Sequence, residues 1–169
     1  VIEYLYGREE ELVPWAAEHT APGHQFRPDA KAIGMTVDGV IRGVVVFDTF
    51  SENNCLFSMA SDGSRRWVTR EFIIRTLAYP FIQCGFPRIT SLISQGNKNS
   101  IRFARHFGSW KLEGVMREAG DFGEDLLLYG LLRREVQPRW LTPLPLQPRR
   151  DISQDDPSPA QDVRATKDP

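Results

Sequence analysis

Two stretches of this 169-residue chain place anion-binding chemistry where a strand runs into a helix. In the first, the apolar strand Cys55–Ala60 feeds a small polar loop, Ser61-Asp62-Gly63-Ser64, followed by Arg65-Arg66-Trp67-Val68-Thr69. A helix start offers unpaired backbone N–H groups and the positive end of a dipole, which suits phosphate. Arg65 and Arg66 add charge where such an anion would lie. Composition alone favours the plainer reading, a capped helix start with solvated arginines. The second stretch is Ser94-Gln95-Gly96-Asn97-Lys98-Asn99-Ser100, in which Asn97 or Asn99 is a candidate N-cap.

The elements that must position these stretches alternate in type. Ile2–Tyr6 reads as a short strand, and Glu9–His19 as an amphipathic helix with three glutamates at its positive end. Pro22-Gly23 and Arg27-Pro28-Asp29 mark a loop. Ala32–Val37 and Val40–Phe50 are β-branched runs around Asp38-Gly39, the strongest hairpin signal in the chain. Trp67–Cys84 carries a helical stripe of Val68, Phe72, Ile73, Leu77 and Phe81, which Pro80 should kink or end early. Arg88–Ser94 reads as a buried strand. In Asn97–Phe107, a further helix, Ile101, Phe103, Ala104 and Phe107 face inward while Arg102 and Arg105 face outward. Trp110–Arg117 and Leu126–Leu132 close the pattern around the acidic loop Asp121–Asp125. The expected fold is α/β (α+β) in the order β-α-β-β-β-α-β-α-β-β, without internal repeats.

Composition bounds the class. Hydrophobic residues make up 41% and charged residues 25%, as in ordinary soluble globular domains. No apolar run reaches the length of a membrane span, and Val1-Ile2-Glu3-Tyr4 shows no secretory signal, so a cytoplasmic protein without membrane contact is expected. Cys55 and Cys84 have apolar neighbours and are expected to be small buried residues in a reducing compartment, not a disulfide or a metal cluster. Seven of the twelve prolines fall in 138–169, where a mostly disordered tail is expected, with Trp140, Leu141, Leu144 and Leu146 docking its first residues on a domain spanning 1–137.

The formal charge of −1 conceals a segregation. Residues 1–62 hold 4 Lys/Arg and 10 Asp/Glu, a net of −6, whereas residues 63–118 hold 10 Lys/Arg and 3 Asp/Glu, a net of +7. Two opposed blocks suggest two surfaces with different partners.

The order of elements resembles the GNAT N-acetyltransferase superfamily, and the second stretch carries the best local signature. In that family an Asn follows the fifth strand, with a small residue three positions on, an aromatic or aliphatic at six and Gly at eleven. Here these are Asn97, Ser100, Phe103 and Gly108. Lys111-Leu112-Glu113-Gly114-Val115-Met116-Arg117 is similar to the EG-x-x-R strand of the branch that acetylates ribosomal-protein N-termini and polyamines. Asp125–Leu132 resembles that branch's final strand, and short phage and prophage members look closest. The resemblance covers roughly residues 1–137. Three positions depart from it. Starting the family's pyrophosphate pattern at Arg65 puts Val68 and Arg70 at its Gly positions, leaving Gly63 as the permissive residue. Ala104 stands where many members place a Tyr that protonates the leaving thiolate. The Gly-Phe after the helix has become Gly108-Ser109-Trp110.

The resemblance implies acetyl-CoA as cosubstrate and no metal. Its donor would be held by Met59, Ala60, Ser61, Gly63, Ser64, Arg65, Arg66, Trp67, Val68 and Thr69, with Asn97, Ser100 and Phe103. A backbone N–H in Phe57-Ser58-Met59-Ala60 would polarise the thioester, and Ser100 or Tyr129 would stand near the departing thiolate. For the base the candidates are Glu113, Asp48, His24 or a water chain, Glu113 being the first choice among the side chains. Glu113, Tyr129 and Ser100 are thus the catalytic candidates, and His24, Asp48, Glu113 and Asp121 those bordering the acceptor. That acceptor would be an amine on a small molecule or a protein terminus, cationic because the acidic block borders it. A homodimer is left open. Two other functions compete: a catalytically silent CoA-binding or partner-binding module, and a nucleic-acid-binding or nucleobase-modifying protein. The basic residues that would bind nucleic acid, Arg65, Arg66, Arg70, Arg75, Arg88, Lys98, Arg102, Arg105 and Lys111, sit where CoA phosphates would be neutralised and have little aromatic interleaving, which argues against that reading.

Overall fold

At the hairpin tip, Asp38 and Gly39 both adopt positive φ, 52° and 76°, as the tight two-residue turn requires. The computed structural model describes residues 1–107 and 109–141. The strands are β1 (Ile2–Tyr6), β2 (Lys31–Val37), β3 (Val40–Asp48), β4 (Leu56–Ser61), β5 (Arg88–Ser94), β6 (Lys111–Met116) and β7 (Leu126–Leu132). The helices are α1 (Glu9–Thr20), α2 (Arg70–Ala78) and α3 (Lys98–His106). They follow the order expected from the sequence.

The strands form one sheet ordered β1-β2-β3-β4-β5-β7-β6. Every neighbouring pair is antiparallel except β4 and β5, which run parallel and meet at a single register, Leu56 opposite Thr90. On one face, Leu12 and Ala16 of α1 pack on Ala32, Val44, Val46 and Ala60. On the other, Phe72, Ile73 and Leu77 of α2 pack with Met35, Val45, Phe47, Phe57, Ile89 and Leu131. The alternation of side chains along each strand divides the two clusters. Under α3, Ala104 meets Ile93 and Tyr129.

The largest departure from expectation is the start of α2. The stripe suggests a helix from Trp67, with Arg65 and Arg66 beside its first turn. Instead Val68 N–H donates to the Arg65 carbonyl (3.2 Å) and Thr69 N–H to that of Trp67 (2.8 Å), winding 65–69 into a turn. Thr69 then caps the helix, its Oγ1 accepting from Phe72 N–H at 3.1 Å. At the other end, α2 stops at Ala78, and a π-helical turn over Tyr79–Gln83 absorbs Pro80. β3 ends at Asp48, two residues early, because Thr49 takes a positive φ of 50°.

After β7 the chain makes short 3-10 turns at Arg133–Glu135 and Pro138–Trp140. Trp140 and Leu141 pack against the core, with Trp140 and Phe107 rings 6.0 Å apart. Leu144, Leu146, the rest of the proline-rich stretch and Gly108 lie outside the described residues. No helix among those described is long and apolar enough to cross a membrane.

Candidate active site

Past Leu56–Thr90 the two parallel strands diverge. β4 keeps its partner β3 on one side, from Asp48–Leu56 to Gly43–Ser61. On the other side, alternate backbone amides of Phe57–Ser61 face the opening. The opening is a cleft of about 210 Å³ lined by Phe57–Ser61, Trp67, Ser91–Ser94, Asn97, Asn99, Ser100, Phe103, Ala104 and Trp110. Three features shape it. Trp67 forms one wall and lies so close on Gly43 that a Cβ there would be 2.7 Å from the Trp67 Cβ. Rings of Phe103 and Trp110 close on Trp67 and Phe57, 5.4 and 5.6 Å away. Asn97 fixes the start of α3, its Oδ1 accepting from Ser100 N–H at 3.0 Å.

Of the residues expected to hold a donor, Met59, Ala60, Ser61, Trp67, Asn97, Ser100 and Phe103 line this cleft. Gly63, Ser64, Arg65, Arg66, Val68 and Thr69 do not; they form the loop leading from Ser61 to α2. That loop is organised by its own side chains. Gly63 N–H donates to Ser61 Oγ (3.3 Å), Ser64 N–H to Asp62 Oδ1 (2.9 Å) and Arg66 N–H to Ser64 Oγ (3.3 Å). Gly63 has the positive φ, 82°, expected of the permissive position. Arg65 and Arg66 are exposed.

The carboxylates have partners. Glu113 occupies a bulge in β6, between Leu112 opposite Tyr129 and Gly114 opposite Leu128. Its carboxylate lies over Gly130, where a Cβ would be 2.2 Å from Oε1, and accepts from Arg88 Nη2 at 2.8 Å. Arg88 also donates to Thr90 Oγ1 (3.0 Å), which donates to Asn54 Oδ1 (2.9 Å). This chain of contacts bolts together the closed end of the divergence. Asp48, 7% exposed, accepts from Arg27 N–H at 3.2 Å and so holds the α1–β2 loop. His24 Nδ1 and Asp121 Oδ2 stand 3.0 Å apart, joining two loops 97 residues distant in sequence. Tyr129 is 2% exposed and packs behind the cleft wall with Ile93 and Ala104. Among the described residues no group of three or more His, Cys, Asp or Glu is placed to hold a metal ion.

The two cysteines differ. Burial, helped by the nearby Cys84 and Asp48, pushes the Cys55 thiol up to about 12. Cys84 is exposed, contrary to the expectation of two buried thiols, because it follows the π-helical turn at the surface. At about pH 8, Cys84 is expected to take up iodoacetamide in the folded protein and Cys55 only after denaturation. Equal rates for both in native buffer would contradict this.

Sequence reasoning gave Ser91 and Trp110 no part in the site and did not foresee the Arg88–Thr90–Asn54 chain. A glycine inside the hydrophobic strand β3 was the available signal for the Trp67 wall, since a mid-strand glycine marks close approach.

No family model matches the sequence, and no curated protein matches it. Solved structures do match the fold. A probable acetyltransferase aligns at a TM-score of 0.56 and 19% identity, over 64% of each chain. Mutant forms of the spermidine/spermine N-acetyltransferase SpeG from Vibrio cholerae align at 0.63 and 12% identity, over 79% of this chain and 96% of that one. The yncA protein of Salmonella typhimurium, solved with its cofactor acetyl-CoA, aligns at 0.60 and 16% identity, over 78% and 93%. The chain therefore spans less than two thirds of the first of these proteins and nearly all of the other two. It has the GNAT fold, a mostly antiparallel sheet flanked by helices.

Proposed function

We propose that this chain is an acetyl-CoA-dependent N-acetyltransferase that moves an acetyl group to a primary amine on a cationic acceptor. The observation that carries this reading is the cleft at the β4–β5 divergence. It combines backbone donors on one wall, a capped helix start on the other and a volume suited to a thioester and its adjoining arm rather than to a whole nucleotide. The likeness to yncA, which holds acetyl-CoA, supports the donor. The likeness to SpeG, named for spermidine and spermine, supports a polyamine-like acceptor, as does the Glu113-Gly114-x-x-Arg117 strand.

The donor supplies an activated acyl group; the chain's residues orient it and neutralise its charge. Backbone N–H groups of Phe57–Ala60 facing the cleft are placed to polarise a carbonyl. Arg65 and Arg66 follow Ser61 in the chain, and Lys98, Arg102 and Arg105 are exposed on α3, so two segments that continue from the cleft lining carry positive charge suited to phosphates. Ser100, in the first turn of α3, lines the cleft and offers its hydroxyl proton to a departing thiolate. A lysine-like amine, with a pKa of about 10.4, must lose a proton before it attacks. Glu113 is engaged by Arg88, so that proton leaves through water. The remaining acidic residues of 1–61 and the loop Asp121–Asp125 supply the negative potential that draws in a cation. In the transfer, the amine nitrogen bonds to the acyl carbon, the C–S bond breaks, and the thiolate takes up a proton.

A silent CoA-binding module is the second reading, favoured by Ala104 in the cleft wall and by the engaged Glu113. Thermal unfolding with acetyl-CoA tests both. The melting temperature is expected to rise with ligand concentration, and Arg65→Ala with Arg66→Ala to blunt the rise. No shift at about millimolar ligand would remove both readings. Thiol release with spermidine, aminoglycosides and basic peptides then separates enzyme from module.

A further inference from the structure

The β2–β3 ladder carries one irregularity. Met35 pairs with Gly43, but the next residue, Thr36, pairs with Ile41, so Arg42 is an extra residue on β3. A bulge re-aims its side chain. Here it directs a guanidinium, three-quarters buried, towards the far end of β4. Arg42 Nη1 donates to Asp62 Oδ2 at 2.8 Å, and Asp62 N–H donates back to the Arg42 carbonyl at 3.1 Å. The second oxygen, Asp62 Oδ1, accepts from Ser64 N–H at 2.9 Å. Guanidinium, carboxylate and loop amide are thus in series, and they run from the rigid sheet into the segment carrying Gly63, Arg65 and Arg66. Arg42 Nε is buried and meets no acceptor among the described residues. Such a residue costs the sheet stability that an apolar side chain would not.

We infer that Arg42 is a positioning residue for the donor: through Asp62 it holds the 62–66 loop in the shape that receives the pyrophosphate of acetyl-CoA. This rests on the acetyltransferase reading above. Two effects support it. The first is order, since a loop tied at Asp62 and Ser64 gives up less freedom when a ligand binds. The second is charge. Asp62 is an acid in a segment that would face a polyanion, and without Arg42 its negative charge would repel the phosphates. Burial pushes the Asp62 carboxyl up, but hydrogen bonds from Ser64 and Arg42 outweigh it and hold the group below its ordinary range, so it stays ionised and needs its partner.

Calorimetric titration of the full chain with acetyl-CoA and with S-acetylpantetheine, which lacks pyrophosphate and nucleotide, tests the inference. Arg42→Met is expected to weaken acetyl-CoA by about tenfold, the scale of one lost charge-assisted hydrogen bond, and to leave S-acetylpantetheine unchanged. Arg42→Lys should retain most of the affinity. Adding Asp62→Asn to Arg42→Met should recover part of the loss by removing the unpaired charge. Equal weakening of both donors, or no weakening of either, would overturn the role of Arg42 while leaving the acetyltransferase reading in place. Failure of the unaltered chain to bind either donor would remove that reading and this inference with it.

Discussion

Ser91→Trp is expected to abolish acetyl-CoA binding, weakening it by at least about a hundredfold, while leaving the unliganded protein folded. Ser91 lies on β5 opposite Tyr129, is half-buried and lines the cleft. The cleft is about 210 Å³, so an indole inside it occupies the space proposed for the thioester arm. A ligand that cannot reach the amides of Phe57–Ala60 loses its orienting contacts together with its buried apolar contact. The folded state should tolerate the change, because the new ring enters an opening instead of a packed interior. The measurement is thermal unfolding with and without acetyl-CoA: an unliganded melting temperature near that of the parent, and no ligand-induced rise. A variant that still shows the full rise would place the donor elsewhere.

Gly43→Ala is expected to destabilise the chain by about 2 kcal/mol and lower its melting temperature by roughly 6 °C, a large effect for one added methyl group. The new Cβ would stand 2.7 Å from the Trp67 Cβ and 3.0 Å from its Cγ. These atoms lie near the Trp67 backbone, so no side-chain rotation relieves the overlap. The turn 65–69 must move, and with it the cap that Thr69 gives α2. Because Trp67 lines the cleft, donor affinity should fall together with stability. If the cost comes from this one contact, Trp67→Gly, which removes the Cβ as well as the ring, and Gly43→Ala combined should destabilise by less than the sum of the two. Unfolding by urea measures all three variants. A Gly43→Ala protein within about 0.5 kcal/mol of the parent would show that the wall is not tight.

The order of elements and most strand limits were legible because their signals are local. Asp38-Gly39 between β-branched runs, and the apolar stripe of Asn97–Phe107, depend on nothing far away. The start of α2 was not legible. Val68 and Trp67 extend the helical stripe, but hydrogen bonds back to Arg65 and Trp67 compete with helix there, and Thr69 wins as the cap. At the site, the motif Asn97–Ser100–Phe103 pointed to cleft-lining residues because one helix turn sets their spacing. The carboxylates were harder. Glu113 and Asp48 have suitable chemistry in isolation, yet whether either is free depends on Arg88 and on the Arg27 amide, brought in by other strands and loops. His24 and Asp121, two loop residues assigned to the acceptor border by resemblance, stand 3.0 Å apart, a pairing that no local signal in either loop could give.

The single register between β4 and β5 also bears on how the molecule opens and folds. Its backbone ladder is two separate pieces, β1–β4 and β5–β7–β6, each continuous within itself and joined at Leu56–Thr90. A break in one ladder therefore does not propagate through backbone hydrogen bonds into the other. They are coupled at the junction by the Thr90 N–H to Cys55 carbonyl bond, by the Arg88–Thr90–Asn54 contacts and by Phe57, Ile89 and Leu131, which share a core. The gap proposed to admit a ligand therefore leaves the two halves of the sheet held by one pinned end and a shared core instead of a continuous ladder.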